Sequence, residues 1–184
     1  MWRLVGETGS VYVKRAAELK GERDRLAWLA GRLPVPEVVG FVHAYDDDWL
    51  LTRELPGVPL YHVSLGWEPG RVARRLGEIL CDIHSIAASS CPFGDAAPGH
   101  VLIHGDFCLP NVLVERGRLT GLVDVGRSGL GDPHDDLAAG LWSLHYNFGR
   151  GFGREFLEAY GAPTMTERDV ERLRRRYGKR KKAD

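Results

Sequence analysis

The sequence predicts an α+β fold of two lobes: a reduced, β-rich N-terminal lobe with one helix over residues 1–55, and a mainly helical C-terminal lobe over 56–184. Three observations carry this reading. Residues 1–14 alternate apolar and polar in the β manner around a glycine-containing turn. Apolar residues at helical spacing dominate after residue 70. Between the two regimes, Leu55-Pro56-Gly57 breaks the pattern and marks the lobe boundary.

The elements follow in order. Trp2 and Leu4, a turn over Gly6 to Ser10, and Val11-Tyr12-Val13-Lys14 predict a hairpin. Leu19, Leu26, Leu29 and Leu33 predict a helix from about Ala16 to Arg32, stopped by Pro34 and Pro36. Val38-Val39 and Trp49-Leu50-Leu51-Thr52 predict strands around a polar turn, Asp46-Asp47-Asp48. Val72, Leu76, Ile79, Leu80 and Ile83 place one apolar face on a second helix. Ser89 to His100 is a loop rich in small residues. Val101-Leu102-Ile103, Val112-Leu113-Val114 and Leu119 to Val125 then predict short β segments bracketing a polar loop. Leu137, Leu141 and Leu144 mark a helix after Pro133, and Thr166 with Asp169 predicts a capping box opening the last helix.

Composition narrows the class of partner. Lys plus Arg number 25 and Asp plus Glu number 25, which argues against general adhesion to nucleic acid. Arg172 to Lys182 is strongly basic, so the remainder is net acidic, a balance suited to a cationic substrate and equally to solubility. The tail Lys179-Arg180-Lys181-Lys182 reads as a solvated helix end. Three cysteines (Cys81, Cys91, Cys108) lack paired spacing, which predicts free thiols in a reducing cytoplasm. No signal peptide and no apolar run of membrane-spanning length is evident, so the expectation is a cytoplasmic protein without membrane contact.

Chemistry concentrates in His104-Gly105-Asp106-Phe107-Cys108-Leu109-Pro110-Asn111 and Gly121-Leu122-Val123-Asp124-Val125-Gly126-Arg127. Phosphoryl transfer asks for a carboxylate to orient the attacking hydroxyl and for hard oxygen ligands that hold Mg²⁺ on nucleotide phosphates. The spacing D-x-x-x-x-N supplies both from one loop, and a second Asp at the end of a neighbouring strand completes the metal site. A lone D-x-x-x-x-N is common among turns. H-G-D, an Asn five residues after the Asp, an apolar strand and then D-x-G-R together are much rarer.

These residues resemble the aminoglycoside phosphotransferase family, and among it the aminoglycoside 3'-phosphotransferases, whose fold is that of protein kinases. The likeness extends to Cys91-Pro92-Phe93, to Gly131-Asp132-Pro133-His134-Asp135-Asp136-Leu137, to Leu26-Ala27-Trp28-Leu29 with Leu33-Pro34-Val35-Pro36, and to Glu54-Leu55-Pro56-Gly57. The resemblance implies an ATP-dependent kinase acting on an aminoglycoside hydroxyl. It implies Asp106 as catalytic base and Asn111 and Asp124 as Mg²⁺ ligands. Lys14 matches the lysine on the α/β-phosphates, and Glu22 its ion-pair partner. The adenine-binding linker falls at Arg53 to Leu55, and Arg127 lies toward the transferred phosphate or forms a structural ion pair. His104 is expected to hold the loop, Cys108 to pack it, and Asp136 to have a structural role.

The sequence also departs from the family. The first strand and the loop over the nucleotide phosphates have no counterpart before Trp2, and only Gly94 to His100 stand where the family carries a helical insertion. The C-terminus is Lys-rich, ending in Ala183-Asp184, rather than acidic and aromatic. These departures keep open a kinase for another small alcohol, or a kinase-like binding protein. A metal-dependent hydrolase built on His100, His104, Asp106 and Asp132 leaves Asn111 idle and lacks HxH or HExxH spacing.

Overall fold

The computed structural model describes residues 1–7 and 9–180. Strands β1 (Trp2–Gly6) and β2 (Gly9–Ala16) form the expected hairpin, with Trp2 opposite Val13 and Gly6 opposite Gly9; Thr8, in its turn, lies outside the described residues. β2 pairs with β4 (Asp47–Arg53), and β4 with β3 (Val38–Ala44), giving an antiparallel sheet in the order β1-β2-β4-β3. Trp2 stacks on Trp49, with ring centroids 5.7 Å apart.

Two expectations are corrected here. Helix α1 runs from Lys20 to Leu29, shorter than the predicted 16–32. β2 claims the chain up to Ala16, which pairs with Asp48, and Asp48 Oδ2 accepts the Leu19 amide at 2.8 Å just ahead of the helix. The hairpin β3–β4 turns on Tyr45 and Asp46, one residue ahead of the expected Asp46-Asp47-Asp48, and Asp47 and Asp48 belong to β4. Tyr45 and Asp46 have positive φ (54° and 64°), as a two-residue turn between right-twisted strands requires. Asp48 thereby becomes a buried strand residue that fixes the start of α1 and accepts from His43.

The rest of the chain is built on helices. α2 (Pro69–His84) buries Val72, Leu76, Ile79, Leu80 and Ile83, as the periodicity predicts. It packs on α4 (Gly153–Tyr160), an element the sequence reading does not contain. The approach is close: a Cβ at Gly77 would stand 2.3 Å from the Phe156 carbonyl oxygen. α3 (Pro133–Phe148) starts on Asp132, whose side chain accepts the His134 amide, with proline in the first turn. α5 (Glu167–Arg180) packs along α3, and its start carries the predicted capping box, Thr166 and Asp169 each accepting the other's amide. Lys181, Lys182, Ala183 and Asp184 lie outside the described residues.

Two small sheets frame the polar loop. β5 (Val58–Pro59), β7 (Val112–Glu115) and β8 (Arg118–Leu122) form one sheet, and β6 (Val101–Ile103) pairs with β9 (Gly129–Gly131). β8 ends at Leu122, so the expected continuation through Val125 is corrected: Asp124 has φ 60°, which no strand accommodates. Among the described residues, no helix is long and apolar enough to cross a membrane.

Candidate active site

The loop between β6 and β7 is fixed from below by one carboxylate. Asp136, in the first turn of α3 and fully buried, accepts the His104 amide at 2.6 Å on one oxygen and the Gly105 amide at 2.8 Å on the other. His84 Nε2 stands 3.3 Å from the same carboxylate, and His84 Nδ1 meets the Tyr160 hydroxyl at 2.9 Å. The sequence suggests only a structural or helix-dipole role for Asp136; its two-oxygen grip on the loop is visible only in three dimensions. His104 holds the loop from the other side. Its Nδ1 accepts the Asp106 amide at 3.3 Å, so Nε2 carries the proton and donates to the Val123 carbonyl at 3.0 Å.

Gly105 (φ 85°) permits the turn that follows. Any Cβ there would sit 2.5 Å from the Arg127 carbonyl oxygen, so the H-G-D and D-x-G-R segments touch through backbone alone. Asp106 is half-buried at the head of this turn. Asn111 Nδ2 donates to the Asp106 carbonyl at 2.9 Å, and the Asn111 carbonyl accepts the Val123 amide at 3.0 Å. The base candidate and both metal-ligand candidates therefore belong to one hydrogen-bonded assembly.

The sheet supplies a cation to it. Lys14 Nζ lies 2.7 Å from Glu22 Oε2 on α1 and 2.9 Å from Asp124 Oδ1, across 110 residues of sequence. Burial pulls the Lys14 ammonium down, but the bonds to Asp124 and Glu22 prevail and hold it above its ordinary value. α1 is tied to the same segment by Arg25, which donates to the Ser128 carbonyl at 2.7 Å and covers the Phe93 ring. Arg25 was not singled out from sequence, where it reads as one charge among several on the helix.

The remaining sequence candidates lie around this centre. Arg53 ends β4 and donates to Glu37 Oε2 at 2.7 Å. Leu55 packs over Gly121, where an added Cβ would stand 2.6 Å from Leu55 Cδ1. Arg127 is exposed, with its backbone against Gly105. The alternative metal set is not assembled: His100 bonds the Asp95 carbonyl, both His104 nitrogens are engaged, and Asp132 serves His134 and Arg176.

Two further features emerge only from the fold. Tyr177 of α5, which sequence places on an apolar helix face, brings its hydroxyl onto Asp106 Oδ1 and within 3.3 Å of Cys108 Sγ. A cavity of about 1330 Å³ lies among α3, α4 and α5, lined by Leu141, His145, Phe152, Arg168 and Glu171 among others. Asp106, Asn111 and Asp124 are not part of that lining, so this cavity is separate from the proposed chemistry.

The donor set suits Mg²⁺, which takes few protein oxygens and keeps phosphates and waters as its other ligands. Asn111 spends its amide nitrogen on the Asp106 carbonyl, which leaves the oxygen as its ligating end. Asp124 adds a carboxylate, and the described residues contain no group of three or more His, Cys, Asp or Glu suited to a zinc-type site.

Comparison with known proteins gives the family and the fold. The model of a phosphotransferase enzyme family matches residues 8–100 and 94–174. An aminoglycoside 3'-phosphotransferase of Streptomyces fradiae is 30% identical, over 86% of this chain and 77% of its own length. One from Escherichia coli is 28% identical over 79% of this chain and 70% of its own. The crystal structure of a type VIII aminoglycoside-3'-phosphotransferase superposes with a TM-score of 0.78 at 28% identity, covering 94% of this chain and 86% of that one. The kinase-like α+β fold read from the sequence is thus the fold observed, and the chain belongs to the phosphotransferase enzyme family that includes the aminoglycoside 3'-phosphotransferases.

Proposed function

We propose that this chain is an ATP-dependent phosphotransferase that moves the γ-phosphate to a hydroxyl of an aminoglycoside antibiotic of the kanamycin or neomycin kind, and so confers resistance. The observation that carries the reading is the single assembly in which the Asn111 side chain bonds the Asp106 carbonyl, the Asn111 carbonyl bonds the amide of Val123 beside Asp124, and Lys14 reaches Asp124. Its relatives are named for this activity, and a fold relative from Streptomyces rimosus was solved with ADP and streptomycin.

In this reading residues 1–55 form the nucleotide side and 56–184 the substrate side. Asp106 orients the acceptor hydroxyl and takes its proton as the new ester forms. Lys14, released from Asp124 and still paired with Glu22, meets the α/β-phosphates. The chain from Arg53 to Leu55 offers backbone groups to the adenine, and Arg127 lies toward the transferred phosphate. Asn111 and Asp124 would hold Mg²⁺, which when bound neutralises charge on the phosphates. Use of ATP and three cysteines without a disulfide support a cytoplasmic reaction in this reading.

Purified protein incubated with Mg-ATP and an aminoglycoside panel tests this directly. Wild type transfers phosphate, and Asp106→Asn loses roughly 10²- to 10⁴-fold in rate, the usual contribution of a positioned base. No transfer at millimolar drug by a protein that still binds ATP would sink the aminoglycoside reading. Equal rates in the two proteins would remove Asp106 from its role.

A further inference from the structure

Helix α5 meets the acceptor side of this site with two adjacent side chains. The Tyr177 hydroxyl bonds Asp106 Oδ1, an oxygen of the carboxylate that an incoming hydroxyl would use in the proposed reaction, and Tyr177 is only 3% exposed. One residue earlier, the Arg176 guanidinium lies 2.7 Å from Asp135 Oδ1 and 3.4 Å from Asp132 Oδ2, at the start of α3. Tyr177 and Arg176 also line a cavity of about 290 Å³ together with Asp135 and Ala138. A hydroxyl on the catalytic carboxylate and a cation on flanking carboxylates is the pattern that an aminoglycoside, with neighbouring hydroxyl and ammonium groups, would itself present.

We infer that α5 occupies the acceptor site in cis, with Tyr177 standing in for the substrate hydroxyl and Arg176 for a substrate ammonium, and that the acceptor binds by displacing them. The inference rests on the proposed function, because it takes Asp106 as the base. The Tyr177 ring packs in the core with Leu173 and against the Trp142 ring, centroids 5.4 Å apart, while its hydroxyl reaches the site through polar contacts with Asp106 and Cys108. Two features of the contact fit a displaceable segment. The Arg176 pairs are half-exposed and therefore weak, since water and salt screen them. Arg172, Arg174 and Arg175 leave α5 otherwise polar on its outer face. Burial, and then the bond to Asp106, push the Tyr177 phenol upward, so it stays a neutral donor wherever Asp106 is ionised.

Tyr177→Phe keeps the ring against Trp142 and removes only the competing hydroxyl, so folding is preserved. Binding of kanamycin, measured by calorimetry without nucleotide, should tighten roughly tenfold, the worth of a charge-assisted hydrogen bond lost from the closed state. Arg176→Gln combined with Tyr177→Phe should tighten it further. In wild type, kanamycin should speed tryptic cleavage within Arg172–Arg176, whereas a ligand that leaves α5 docked protects it. Unchanged or weaker binding in Tyr177→Phe, or protection by drug, overturns the inference while phosphate transfer by wild type leaves the function standing. Failure of all three proteins to bind drug overturns both.

Discussion

Replacing Asp136 by alanine tests what holds the catalytic loop. The carboxylate is fully buried and accepts two backbone amides, from His104 and Gly105, with His84 as a third neighbour. Each buried donor left unpaired costs about 1–3 kcal/mol, and removing one partner of a buried charged group about 3–5 kcal/mol. These overlap, so we expect a loss of about 3–5 kcal/mol, roughly a fifth or more of the ~5–15 kcal/mol that a domain possesses. Asp136→Asn keeps the volume and one acceptor oxygen, but turns an NH₂ donor toward the second amide. It should fall between alanine and wild type. Urea unfolding followed by circular dichroism gives the stability, and phosphate transfer below the transition gives the activity. An alanine variant within about 1 kcal/mol of wild type would show that Asp136 does not brace the loop.

Three other outcomes follow from the geometry. Gly105→Ala forces a Cβ into the Arg127 backbone at a positive φ, which by itself costs about 1–2 kcal/mol. Activity should drop by far more than stability, because the H-G-D and D-x-G-R segments must separate; steady-state rates beside thermal unfolding decide this. Lys14→Met should raise the KM for ATP with a modest change in unfolding midpoint, since its pairs are partly exposed; an unchanged KM would remove Lys14 from the nucleotide site. Tyr177 has its folded-state phenol pushed upward, so its contribution to stability is complete below the usual phenol pKa of about 10 and is lost as pH rises above it. Wild type should therefore lose stability above pH ~10 more steeply than Tyr177→Phe, measured by denaturant titration at stepped pH.

How much of this was legible in sequence differs by element. The helices α2 and α3 and the cap of α5 were readable because their signals are local: apolar residues every three or four positions, a proline in the first turn, a Thr–Asp capping box. The start of α1 and the position of the β3–β4 turn were misjudged because strand pairing decides them. Ala16 stays extended because Asp48 pairs with it, and the turn sits where two residues can hold positive φ. α4 is short and follows a glycine-rich stretch, so its periodicity spans barely two turns.

For the site, the sequence by itself supplied the proposed chemistry. Asp106, Asn111 and Asp124 match in type and spacing what phosphoryl transfer would require, and one loop and one strand end carry them. The tertiary structure decided what surrounds them. Lys14 reaches Asp124 only once the sheet folds over the loop, Asp136 grips two amides only once α3 starts beneath β6, and Tyr177 meets Asp106 only when α5 lies along α3. Hydrogen bonds form between groups a few ångströms apart in space, and no local pattern along a chain records which residues 31, 71 or 110 positions distant will arrive there.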